Sequence, residues 1–156
     1  MIDPFYNPTD IRWSCWSAVG EVLGPDKLGV LIVTARSSQT WASHLSQKYL
    51  PVHSVQIMAD VQPGPTAESV QIIVQAMRDL APDWVIALGG GSVLDTAKAA
   101  ALLANADGDV LDYLRGVRQV QNPGIPLIAI PTTAGSGSEV TPYASIMDLE
   151  RKIRRH

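Results

Sequence analysis

The sequence predicts an α/β domain in which a mostly parallel β-sheet carries helices on both faces. Three observations point there. Short runs such as Leu28–Thr34 and Trp84–Leu88 are apolar on both alternating faces, as strands buried between two helical layers are. The stretches between them carry apolar residues at helical spacing, and strand–helix alternation of this kind builds parallel sheets through right-handed crossovers. Two of the runs pass directly into loops rich in glycine and hydroxyl groups. In such sheets ligands bind beyond the carboxyl ends of the strands, so both loops belong to a ligand-binding edge.

Taken in order, residues 1–26 hold Pro4, Pro8 and Pro25, the turn formers Asn7 and Asp10, and Trp13 and Trp16 three apart. They predict an irregular lead-in packed on the core. Leu28–Thr34 is the first central strand. Ser38–Tyr49 is a helix carrying Trp41, Leu45 and Tyr49, and Val52–Met58 is a second short strand. Pro63-Gly64-Pro65 is a turn, after which Thr66 caps a helix with Val70, Ile73, Val74, Met77 and Leu80 on one stripe, ended by Pro82-Asp83. Trp84–Leu88 is a third buried strand that runs into Gly89-Gly90-Gly91-Ser92 and a helix to about Asn105. A loop with Gly108, Gly116 and Asn122-Pro123-Gly124 precedes a fourth strand, Ile125–Ile130, closed by the loop Pro131–Ser138. Glu139–Met147 alternates as a further strand, and Arg151–His156 is a solvated charged tail.

With 156 residues, 46% apolar and 17% charged, the chain suits one domain, spanning 1–156, with a core of its own. A net charge of −3 and a pI near 5.5 argue against a broad surface for nucleic acid. No apolar run approaches the roughly 18 residues of a membrane span, and the start lacks the basic-then-apolar order of a signal peptide. Cys15 is the single cysteine, so a cytoplasmic setting is expected. His44, His53 and His156 are far apart and build no metal site.

The chemistry lies in the two loops. Three glycines after a buried strand let a ligand approach the backbone, and the free N–H groups of the following helix favour an anion such as a pyrophosphate. Ser92 reads as the N-cap, with Asp95 completing a capping-box-like pattern; alternatively Asp95 reaches a sugar hydroxyl or an alcohol. Lys98 either pairs with Asp95 on the helix or meets the ligand. Thr132, Thr133, Ser136 and Ser138 with Gly135 and Gly137 make either a ligand loop or a solvated turn bonded to itself. Neither G-x-G-x-x-G after the first strand nor G-x-x-x-x-G-K-[ST] is present, which disfavours an ordinary dinucleotide fingerprint and a kinase or ATPase.

The pair of segments Asp83-Trp-Val-Ile-Ala-Leu-Gly-Gly-Gly-Ser-Val-Leu-Asp-Thr-Ala-Lys98 and Ile128-Ala-Ile-Pro-Thr-Thr-Ala-Gly-Ser-Gly-Ser-Glu-Val-Thr141 resembles the iron-containing (group III) alcohol dehydrogenases. The resemblance runs from the first strand to about Arg154. It implies a Rossmann-like, dehydroquinate synthase-like N-terminal domain that holds NAD or NADP, and a function in hydride transfer between that cofactor and an alcohol or aldehyde. In the complete family enzyme a second, all-helical domain supplies one aspartate and three histidines to Fe²⁺ or Zn²⁺. That half has no counterpart here, so no metal ligand and no catalytic residue is assigned, and this chain alone is expected to bind dinucleotide weakly without turning over alcohols.

Carried over, Gly90, Gly91 and Ser92 hold the pyrophosphate, and Asp95 sits near the nicotinamide ribose and substrate. Thr132, Thr133 and Ser136 surround the adenine, ribose or phosphates, and Arg154 falls where many members have a cofactor-contacting lysine. Two positions depart from the family. Ala35 stands where NAD-preferring members have an aspartate, which leaves Arg36 available to a 2′-phosphate. Gly64 replaces the asparagine of the usual turn. The resemblance further implies a homo-oligomer. The competing readings are a glycerol dehydrogenase or dehydroquinate synthase-like fragment, and a non-catalytic nucleotide-binding or interaction module on the same fold.

Overall fold

A computed structural model describes residues 9–155. Four parallel strands, β1 (Gly29–Thr34), β2 (Ser54–Met58), β3 (Trp84–Gly89) and β4 (Leu127–Pro131), lie in the order β2-β1-β3-β4. The helices are α1 (Ser17–Leu23), α2 (Gln39–Tyr49), α3 (Ala67–Leu80), α4 (Gly91–Leu103) and α5 (Val110–Leu114). The chain moves one way across the sheet from β1 to β2 and the other way from β2 through β3 to β4. With crossovers of one hand, that reversal sends the connecting helices to opposite faces.

The two interiors follow from the pleat. Val30 and Ile32 of β1 and Ile86 and Leu88 of β3 face Val19, Leu23, Ala42 and Leu45 of α1 and α2. Leu31, Val33, Val85 and Ala87 face Val70, Val74, Met77, Leu94 and Ala97 of α3 and α4. β1 from Val30 to Val33 and β3 from Val85 to Leu88 are therefore apolar at every position, and each fully buried aliphatic side chain contributes about 1.5–3 kcal/mol. The register sets Thr34 opposite Leu88 and Leu88 opposite Ile130, so the carboxyl ends of β1, β3 and β4 are level.

Local signals account for the helix ends. Thr66 accepts the Ser69 amide at 3.1 Å while Ser69 Oγ accepts the Thr66 amide at 3.0 Å, a reciprocal capping box. Ala81 adopts a left-handed conformation (φ 44°) ahead of Pro82 and stops α3. Arg78 of α3 donates to the carbonyls of Ala104 (3.2 Å) and Ala106, so the carboxyl end of α4 is capped by its neighbour.

Four sequence expectations are corrected. The lead-in 1–26 contains a helix, α1, and of its tryptophans only Trp16 packs, 6.5 Å from Trp41 and 6.4 Å from Tyr49, while Trp13 is 97% exposed; Pro4, Asn7 and Pro8 lie outside the described residues. The loop before β4 holds α5, one short helix whose N-cap Asp109 accepts the Leu111 amide at 2.7 Å. Glu139–Met147 is no continuous strand: a 3₁₀ turn, Ser138–Val140, leads through extended residues to β5 (Ile146–Asp148). The charged tail is not frayed, because Ile153–Arg155 forms β6, antiparallel to β5; His156 lies outside the described residues.

What folds the tail is an ion cluster. Arg115, the C-cap of α5, clasps both oxygens of buried Asp148 at 2.8 and 3.0 Å, and Asp148 also accepts the Arg151 amide at 3.1 Å, pinning the β5–β6 turn. Hydrogen bonding from Arg115 holds the Asp148 carboxyl at about 2, below its ordinary 3.8. A depressed folded value contributes stability that is complete above the unfolded pKa and is lost as pH falls through the folded one. Thermal melts should therefore show the wild-type advantage over Asp148→Asn shrinking between about pH 4 and pH 2. Melting curves that fall in parallel across that window would contradict the assignment.

Candidate functional site

The reversal of chain direction falls between β1 and β3, and in sheets of this class ligands bind beyond the carboxyl ends of the strands at that point. Thr34 Oγ1 donates to the Leu88 carbonyl at 2.7 Å, so the two strand ends are tied side chain to backbone. β3 then turns directly into α4 through Gly89 and Gly90. The Thr132 amide donates to the Gly89 carbonyl at 2.9 Å, which lays the loop after β4 against this turn.

Each glycine of the turn answers to a different neighbour. A Cβ on Gly89 would stand 2.6 Å from Val93 Cγ2, inside the packing of α4 on the sheet. One on Gly90 would meet Thr133 Oγ1 at 3.0 Å, and one on Gly91 would meet Ser136 Cβ at 2.8 Å. The two loops thus touch where one of them has no side chains. Gly135 (φ 111°) and Gly137 (φ 63°) give the second loop its left-handed bends.

Gly90, in extended conformation, is the N-cap of α4, and no side chain caps the helix. This corrects the expectation that Ser92 is the cap. Ser92 lies inside the first turn, where its Oγ accepts the Gly64 amide at 3.1 Å. The Pro63–Pro65 turn, with Gly64 at φ 74°, is held on its other side by the Met147 amide donating to the Pro65 carbonyl at 2.9 Å. The first turn of α4 carries no acidic residue, so its N–H groups and the helix dipole offer an anion an unopposed seat.

Asp95 lies one turn further on, and the capping-box reading fails with that of Ser92. Its Oδ1 accepts Ser138 Oγ at 2.5 Å and its Oδ2 accepts the Ser145 amide at 3.0 Å. Lys98 Nζ stands 3.5 Å from Asp95 Oδ1, with both side chains 16% exposed. The ammonium donates to the carbonyls of Ser138 (2.8 Å), Thr141 (3.2 Å) and Tyr143. Burial lowers the Lys98 pKa from its usual value, and the Asp95 charge opposes that shift.

Of the sequence-derived residues, Gly90, Gly91, Thr132, Thr133 and Ser136 come together directly, with Ser92 and Asp95 on the adjoining helix face. Arg154 of β6 joins them through Ser145, whose Oγ accepts its Nη1 at 3.3 Å. Arg36 is engaged elsewhere. Its Nε is 3.0 Å from Asp60 Oδ1 beyond the ends of β1 and β2, with both side chains largely exposed. Sequence reasoning missed the roles of Ser138, Ser145 and Asp60. Their partners lie 24 to 50 positions away in the chain, and no local spacing signals them. An open hollow of about 630 Å³, lined by Ser17, Gly20, Tyr49 and His53 among others, shares no residue with this site.

Among the described residues, no three His, Cys, Asp or Glu side chains stand together as a metal ion would require. Among them, too, no helix is long and apolar enough to cross a membrane.

A doubly covered parallel sheet with a glycine turn at its direction reversal defines a Rossmann-like ligand-binding domain. The profile of the iron-containing alcohol dehydrogenases matches residues 10–156, and the chain belongs to that family. It is 49% identical over 100 residues to long-chain-alcohol dehydrogenase 1 of Geobacillus thermodenitrificans, covering 63% of this chain and 25% of that protein. It is 33% identical over 141 residues to phosphonoacetaldehyde reductase of Streptomyces viridochromogenes, covering 86% and 33%. The crystal structure of sulfoacetaldehyde reductase from Bifidobacterium kashiwanohense in complex with NAD⁺ superposes with a TM-score of 0.86 at 26% identity, covering 99% of this chain and 42% of that one. The chain spans a quarter to a third of the length of the two sequence relatives.

The glycine contacts separate packing from ligand access. Gly89→Ala presses on buried Val93 and should cost about 1–3 kcal/mol in urea unfolding. Gly91→Ala presses on Ser136 of an exposed loop that can shift, so its cost should be clearly smaller. Equal losses would mean that the loop after β4 is as fixed as the core.

Proposed function

We propose that this chain is the nicotinamide-dinucleotide-binding part of an iron-dependent alcohol dehydrogenase, with the pyrophosphate seated on Gly90, Gly91 and Ser92. The observation that carries this reading is the contact of two loops at the carboxyl edge through glycine alone, next to a helix N-terminus with no side-chain cap. A Cβ at Gly90 or Gly91 would enter that contact, whereas backbone N–H groups and the hydroxyls of Thr133 and Ser136 surround it. Family membership and the NAD⁺ complex of a relative support the same cofactor.

When bound, the nicotinamide supplies or accepts the hydride exchanged with the alcohol or aldehyde carbon. This chain's residues bind and orient it. Gly90, Gly91 and Ser92 meet the pyrophosphate, Thr132, Thr133 and Ser136 the adenine, ribose or phosphates, Asp95 lies near the nicotinamide ribose and substrate, and Arg154 contacts the cofactor. The described residues gather no His, Cys, Asp and Glu cluster for a metal ion, and the part of the reaction that falls to this chain is to hold the cofactor. The free thiol of Cys15 suits a reducing, cytoplasmic setting.

Both cofactor forms fit this reading. Ala35 presents no carboxylate to the adenosine ribose, and Arg36 exchanges Asp60 for a 2′-phosphate when NADP is bound. Calorimetric titration of the 156-residue chain with NADH and NADPH in parallel tests both statements. Saturable binding that Gly91→Asp abolishes is expected, with NADPH at least as tight as NADH. Clearly tighter NADH would remove the role of Arg36, and no saturable binding of either would overturn the cofactor reading.

A further inference from the structure

The ammonium of Lys98 has three N–H donors, and three backbone carbonyls, of Ser138, Thr141 and Tyr143, converge on it. Its donors are thereby used, and none is left for a ligand. Carbonyl dipoles aimed at one point repel one another unless a cation stands there. The segment that carries them is a single 3₁₀ turn followed by extended residues, so side chains of α4 supply what a strand partner would otherwise give. Asp95, three residues before Lys98 on the same rigid helix, takes Ser138 Oγ and the Ser145 amide, one at each end of that segment.

Resting on the cofactor reading above, we propose that Lys98 is a positioning residue for the dinucleotide cradle: it gathers the 138–143 carbonyls onto α4 and so sets where Ser136 and Thr133 stand against the glycine turn. Asp95 orients the same segment from its two ends. Because Gly91 and Ser136 are already at close approach, a small swing of the segment moves Ser136 against the turn on which the pyrophosphate sits. Replacing Lys98 by a neutral side chain leaves the carbonyl of buried Ser138 without this donor and frees those of exposed Thr141 and Tyr143 to turn to water, so the segment loosens from α4.

The test is amide hydrogen exchange on the 156-residue chain, wild type, Lys98→Met, Asp95→Asn and the double variant, together with NADH titration of each. Lys98→Met should speed exchange across residues 138–145, the Ser145 amide included, by about tenfold, with β1 and β3 unchanged. It should do so in the Asp95→Asn background as well, and NADH affinity should fall by about tenfold. Lys98→Arg keeps the charge and should regain part of both; it is also read if Lys98→Met fails to fold. Wild-type exchange in Lys98→Met, no added effect over Asp95→Asn, or Lys98→Arg behaving like Lys98→Met would each overturn the proposal. If the wild type itself binds no NADH, the cofactor reading falls, and the exchange arm still decides whether Lys98 holds the segment.

Discussion

The close contact between the β3–α4 turn and the loop after β4 is the constraint from which the rest of this structure follows. It needs β3 and β4 to be neighbours in register, so that Gly89 and Pro131 end level and the Thr132 amide reaches the Gly89 carbonyl. It is closest at Gly90 and Gly91, where a Cβ would stand 3.0 Å from Thr133 Oγ1 and 2.8 Å from Ser136 Cβ. And it needs the reversal of chain direction between β1 and β3, which leaves the edge beside the turn free of a crossing connection. The pattern is the same at three levels: buried strands fix the edge, the edge fixes the loops, and the loops leave room for backbone donors only.

Much of this was legible in the sequence because burial leaves a plain mark. Val30–Val33 of β1 and Val85–Leu88 of β3 are apolar at every position, as a strand covered on both faces reads. Thr66 was legible as a cap because the signal is local. Ser92 misled for an instructive reason: it is the kind of residue that caps, yet Gly90 already holds the extended conformation the N-cap needs, and Ser92 is drawn to the Gly64 amide instead. The β5–β6 hairpin was hidden because its stabilising partner is Arg115, 33 positions before Asp148, while the tail itself reads as a solvated charge run. Arg36 was placed at the correct strand end, but nothing local announced Asp60.

Two cations do comparable work in different places. Arg78 of α3 closes the carboxyl end of α4, and Lys98 of α4 gathers the carbonyls of the segment after Gly137. In both cases a side chain on a packed helix serves carbonyls that no strand or helix partner reaches. The sheet accordingly needs little regular structure beyond β4 to hold its ligand loop in shape.

The central claim is that the two loops form one anion cradle. The most direct test is to follow assigned backbone amide resonances of the 156-residue chain during titration with NADH. The account predicts that Gly90, Gly91 and Ser92 shift together with residues 132–137 along a single saturating curve. Shifts confined to one loop, or centred on the hollow near Gly20 and His53, would contradict it.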